Sequence, residues 1–188
     1  MGGELPSGEL DPSYRGRCTV RNTCAAELAL TTGMRLNEWR TLLDIEVPPN
    51  DSGVSVALAA CAKNGRFRRV YVPVSTVEMV NLYRETERKS TVRRAQSLLR
   101  KRLPSLAIAD EIDTSTGRIT YSYQGCRHRA KVVDIPGGIR SILVKCGPDG
   151  WVEPLSLFLG RTGRPPCARR WHQYFREANA RLAAFDFG

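Results

Sequence analysis

Apolar positions near the start of the chain recur at helical spacing. In VRNTCAAELALTTGMRLNEWRTLLDIE, which begins at Val20, the residues Ala25, Leu28, Ala29 and Thr32 share one helical face. Thr32 and Gly33 end that helix, as glycine does at helix C-termini. Asn37 is placed to cap a second short helix, with Glu38 in its first turn, where an acid suits the helix dipole. Trp39, Leu42 and Leu43 give this helix its apolar face. The two helices meet at a Gly-Met-Arg corner that holds Arg35.

The pattern then changes. Residues 54–60, VSVALAA, and 67–73, FRRVYVP, read as strands, and Asn64-Gly65 between them is a strong hairpin signal. Lys63 and Arg66 fall at or beside its turn. Ser75 and Glu78 form a capping box for the next helix, with Val77, Val80, Leu82 and Tyr83 as its apolar positions. That helix continues through 84–102, with Val92, Ala95, Leu98 and Leu99 on one side, and Pro104 ends it. Three β-like segments follow between 118 and 145 (RITYSYQG, RAKVVDIP and IRSILVKC), separated by glycine-containing turns. LSLFL at 155–159 is a short buried run. A last helix over about 168–185 lines its buried face with Trp171, Phe175, Ala178 and Leu182. The expected fold is mixed α+β: a helical core, a small antiparallel sheet, and a β-rich segment within about 84–156.

Length and composition fit one domain, or one with an insertion: 188 residues, 41% of them hydrophobic. Residues 1–19 read as a flexible lead-in, not a secretory leader. No run of about 18 apolar residues offers a membrane span. Charge changes the picture most. With 29 Lys plus Arg and a net charge of +10, the chain is suited to a polyanion. Nucleic acid ranks first, an anionic membrane surface second, and simple solubility charge remains the bland alternative. Residues 84–102 hold eight basic side chains against two acidic ones, which suits a DNA-facing helix or a solvated face equally. Arg161, Arg164, Arg169, Arg170 and Arg176 form a second basic cluster with no acid among them. Trp171 within it reads as core rather than as a base-stacking platform. The six cysteines include no C-x-x-C pair, and His128 and His172 lie far apart, so no zinc site is expected. Reduced thiols in a cytoplasmic, nucleoid-associated protein are the expectation.

Three ordered motifs carry a family resemblance. AELALTTGMRLNEW resembles the first signature box of the tyrosine recombinases (phage integrases), matched at Thr32, Gly33, Arg35, Asn37 and Glu38. Lys63-Asn64-Gly65, followed by Arg68, Arg69 and Val72-Pro73, resembles the family's lysine-bearing hairpin at the expected distance. Leu157-Phe158, then Gly163-Arg164-Pro165 and a basic aromatic helix, resembles the passage into the family's next helix, and Glu177–Arg181 (EANAR) resembles integrases with a long insertion.

The resemblance implies that residues 20–188 are the N-terminal part of a recombinase catalytic domain that cuts and rejoins double-stranded DNA through a 3′-phosphotyrosyl intermediate. It implies that Arg35 clamps the scissile phosphate, that Lys63 protonates the leaving 5′-oxygen, and that the full-length parent forms a tetramer on DNA; the bland alternatives are a surface Arg35 paired with Glu38 or Asp44 and an ordinary turn lysine at Lys63. No metal, nucleotide cofactor or membrane is implied. Arg66, Arg68, Arg69, Arg164, Arg169 and Arg170 are candidate DNA contacts. The chain departs from the family pattern downstream. No His-x-x-Arg box follows, His172 has Phe175 and Arg176 at the wrong spacing, and Tyr174 lacks the pattern around the family's nucleophile. The fragment is therefore expected to be inactive alone. The rival is a non-catalytic, basic nucleic-acid-binding protein.

Overall fold

A computed structural model describes residues 18–49, 52–62 and 65–184. The proposed lead-in and the hairpin-turn residues Lys63 and Asn64 lie outside the described residues, apart from the last two lead-in positions. Helix α1 (Thr19–Thr32) ends at Gly33, whose φ of 61° is left-handed and whose N–H donates to the Ala29 carbonyl at 3.0 Å. After the corner comes α2 (Leu36–Trp39). Its N-cap is Arg35, not Asn37, because Leu36 is already helical and the Glu38 carboxylate reaches back to the Arg35 N–H. Asn37 instead accepts from the Arg40 Nε.

The hairpin forms from β1 (Val54–Leu58) and β2 (Arg68–Val72), antiparallel from Val54 opposite Val72 to Leu58 opposite Arg68. Its connection therefore runs over 59–67, longer than the two-residue loop that Asn-Gly favours. Helix α3 (Val74–Tyr83) starts one residue ahead of the expected capping box. Pro73 is the cap and accepts the Val77 N–H at 3.0 Å, so Ser75 has no capping role. Leu82 is exposed, contrary to expectation.

A single π turn (Arg84–Arg88) joins α3 to α4 (Lys89–Arg102) without a break. This wider turn directs side chains inward. Arg84 donates to Asp44 at 2.8 Å and to the Val47 carbonyl, and Arg88 donates to Glu153 at 2.6 Å. Glu87 accepts the Val20 and Arg21 N–H groups at 2.9 and 3.0 Å, capping α1 from across the fold. The basic run is thus partly internal. Its solvent side carries Arg93, Arg94, Arg100 and Lys101. Leu98 joins that side too, because the buried stripe is Val92, Ala95 and Leu99 at spacings of three and four.

A five-stranded sheet follows, in the order β5-β4-β3-β6-β7. Strands β3 (Ala107–Asp113), β4 (Arg118–Tyr123) and β5 (Cys126–Lys131) form an antiparallel meander. The chain then crosses by way of α5 (Gly137–Arg140) and places β6 (Leu143–Cys146) parallel to β3, with β7 (Val152–Pro154) at the edge. The expected strands RAKVVDIP and IRSILVKC are therefore shorter. Val132–Asp134 is a 3-10 turn, and Gly137–Arg140 is helical. Ile108, Val144 and Val152 pack on Ala95 and Leu99 of α4, while Ala107, Ala109 and Leu143 pack on Leu43, Ile135 and Leu155 from the other face. Gln96 closes the β7 edge: its side chain donates to the Val152 carbonyl at 2.9 Å and accepts the Val152 N–H at 3.0 Å.

The helical core gathers Cys24, Leu28, Trp39, Val56, Val72, Val80, Tyr83, Phe158 and Trp171. Trp171 begins α6 (Ala168–Ala184) and is fully buried, as core. Arg21, also buried, stacks over Trp171 and Tyr174 at 5.0 and 4.8 Å and donates to the Leu159 carbonyl at 2.9 Å. Ala178 is exposed, so the buried face of α6 ends earlier than expected, and the Leu182 side chain lies outside the described residues.

Gly163 has a φ of 76°, and a Cβ there would lie 2.9 Å from the Ala95 Cβ and 3.0–3.1 Å from the Leu99 methyls. Gly163→Ala is expected to cost about 1–3 kcal/mol through overpacking and the left-handed backbone. A urea titration would read this as a lower midpoint, and an unchanged midpoint would show that the contact gives way.

Candidate phosphate-binding corner

The corner between α1 and α2 is fixed by local bonds. Thr32 Oγ1 donates to the Leu28 carbonyl and accepts the Met34 N–H at 3.2 Å. Met34 is buried, and Arg35 is extended with φ −71° and ψ 155°. Its backbone N–H donates to Glu38 Oε2 at 2.7 Å, and its Nη1 lies 3.4 Å from Glu38 Oε1. The Arg35 side chain remains 60% exposed.

Glu38 joins this corner to the hairpin. Its side chain is fully buried and pairs with Arg68 Nη2 through Oε2. Arg68 arrives there because residues 68, 70 and 72 face inward on β2, while 69 and 71 face outward. Burial disfavours the Glu38 carboxylate, but the Arg68 hydrogen bond, the Arg35 N–H and the two guanidinium charges outweigh it. Its pKa is held below the usual value of 4.5. Two guanidiniums thus share one carboxylate, and the site keeps a positive excess on its open, Arg35 side. Such an arrangement can present fixed N–H donors to an oxyanion.

Of the other candidates, Arg66 is exposed in the hairpin connection and Arg69 is exposed on the face of β2 opposite Arg68. Arg164, Arg169 and Arg170 are exposed just before and within the first turn of α6. The first turn of α6 packs on α2. That helix carries Arg35 at its start and Trp39 at its end, and the Trp39 ring meets Trp171 edge-on at 4.8 Å. Lys63 lies outside the described residues. His172 is exposed on α6, and the Tyr174 ring is engaged by Trp171 and Arg21.

The buried role of Glu38 was missed, although its ion pair with Arg35 was foreseeable from i,i+3 spacing. Its bond to Arg68, 30 residues on, had no local signal. Among the described residues, no group of three His, Cys, Asp or Glu side chains is placed to hold a metal ion, and no helix is long and apolar enough to cross a membrane. Comparison with protein-family models, curated proteins and solved structures gave no match to this chain.

Proposed function

We propose that the chain is part of a tyrosine-recombinase catalytic domain, in which Arg35 is the first arginine of the phosphate clamp. The observation that carries this reading is the corner itself: an exposed guanidinium at a two-helix junction, positioned by a buried glutamate that a hairpin arginine also grips. A planar guanidinium can give two parallel hydrogen bonds to the nonbridging oxygens of a phosphodiester, which a lysine ammonium cannot match. Fixing it in advance favours the charge that grows on phosphate during attack. By resemblance, Lys63 is the general acid, acting from the hairpin tip at the leaving oxygen. Arg66, Arg69, Arg164, Arg169 and Arg170 would hold the DNA backbone, and Arg68 would act indirectly, by holding Glu38.

The chain's own contribution is duplex binding without chemistry. Engagement of roughly four phosphates predicts a log–log salt dependence with a slope of about −4, and Arg35→Ala should reduce that slope by about one. Fluorescence anisotropy with a labelled duplex measures both, and affinity indifferent to salt would count against the reading. No covalent adduct with DNA is expected on a denaturing gel. In the intact recombinase, Arg35→Ala should abolish recombination with binding largely kept. Equal loss of both would favour the rival, a non-catalytic nucleic-acid-binding protein.

A further inference from the structure

The outward face of the β1–β2 hairpin has no part in the corner. Alternation along β2 sends Arg68, Val70 and Val72 inward and leaves Arg69 and Tyr71 outward, and Phe67, just ahead of the strand, is exposed as well. Phe67 and Tyr71 are each 61% exposed, two large aromatic rings left in solvent, one just ahead of β2 and one within it. The hydroxyl end of Tyr71 occupies the space beside Gly53: a Cβ there would collide with its hydroxyl and ring. Across the hairpin, its neighbours on this face are small, Ser55 opposite Tyr71 and Ala57 opposite Arg69. No Asp or Glu occurs anywhere from Ser52 to Val77, whereas Lys63, Arg66, Arg68 and Arg69 do. Among the described residues, neither Arg66 nor Arg69 has an ion-pair partner.

Aromatic rings interleaved with unpaired arginines on an acid-free surface suit a polyanion that also offers flat apolar faces. Duplex DNA hides its base faces, and an unpaired strand presents them. Four residues of chain span at most about 14 Å, so Phe67 and Tyr71 lie within the reach of about four nucleotides at their stacked spacing. We propose that this face is a stacking platform for unpaired DNA bases, with Phe67 and Tyr71 as the rings and Arg69 between them on the backbone. The choice of DNA over RNA rests on the recombinase reading. In that setting the platform would hold a strand freed from its complement on the hairpin face opposite the one that meets the Arg35 corner.

The test is an anisotropy titration of the full chain with a labelled oligothymidylate and, in parallel, with a blunt duplex. Phe67→Ala and Tyr71→Ala should each weaken single-strand binding about tenfold, as loss of a base-stacking ring does, and leave duplex affinity unchanged. Tyr71→Phe, which keeps the ring beside Gly53, should retain single-strand binding, and circular dichroism confirms that the variants fold. Losses equal on both substrates, or no loss on either, overturn the platform. So does tighter binding of the ribo-oligomer, or a concentration-dependent self-association that Phe67→Ala removes, which would assign the face to a second copy of the chain. If the duplex does not bind but the single strand does, through Phe67 and Tyr71, the recombinase reading fails and the platform stands.

Discussion

Arg140→Ala should destabilise the protein by about 3–5 kcal/mol, the range expected when one partner of a buried ion pair is removed. Arg140 is fully buried, and its guanidinium meets Glu46 in a two-pronged pair at 2.6 and 3.1 Å. Its remaining N–H groups go to backbone: Nε to the Ile135 carbonyl at 2.9 Å, Nη2 to Val132, and Nη1 to Thr41 at 3.4 Å. One side chain therefore ties the crossover between β5 and β6 to the segment after α2. Alanine would leave the buried Glu46 carboxylate without its counter-charge, with the Leu43 N–H as its remaining donor, and would take a donor from three carbonyls. The measurement is a urea midpoint followed by circular dichroism. Arg140→Met combined with Glu46→Leu should recover much of the loss, because an apolar pair removes the charge as well as its partner. A single variant costing under about 1 kcal/mol would show that water reaches the pair.

Arg140 also illustrates what the sequence conceals. Arg21, Arg84, Arg88 and Arg140 count toward the basic excess, yet each is largely withdrawn from solvent and committed to carboxylates, carbonyls or rings. No local pattern marks a buried arginine, since its partner lies far along the chain. The basic excess remains, but the surface that can present it is smaller: the hairpin, the solvent side of α4, the start of α6, and β5 with its exposed Arg127, Arg129 and Lys131.

Features set by neighbouring residues were legible. Gly33 ended α1 because its left-handed conformation closes the helix, and Arg35 stood at the corner that followed. The hairpin was readable from two β-like runs around Asn64-Gly65, and the final helix from its period. Strand β3 was not: Asp110, Glu111 and Asp113 weaken its β signal. Pairing with β4 on one side and β6 on the other makes Ala107–Asp113 a central strand all the same. The corner was half legible for the same reason. Arg35 and Glu38 are three residues apart, whereas Arg68 reaches them only once β2 has formed.

That dependence makes Glu38 the position where fold and site are most tightly coupled. Glu38→Ala is expected to cost about 1–3 kcal/mol, since it takes the buried partner from the part-exposed Arg68 and the acceptor from the Arg35 N–H together. Glu38→Gln keeps an acceptor for that N–H and should cost less. The two variants thereby separate the cap from the charge. Acid provides an independent reading. Because the folded carboxyl titrates below 4.5, its contribution is fully present above that value and is lost as pH falls through the lowered folded pKa. The wild type should therefore lose stability in that acid window, and Glu38→Gln should lose less of it. Parallel acid profiles for the two proteins would mean that Glu38 is not the titrating group. With the carboxylate gone, Arg35 has no fixed partner, so Glu38→Gln should also weaken salt-sensitive duplex binding while the fold persists. Unchanged binding would show that Arg35 needs no positioning to meet phosphate.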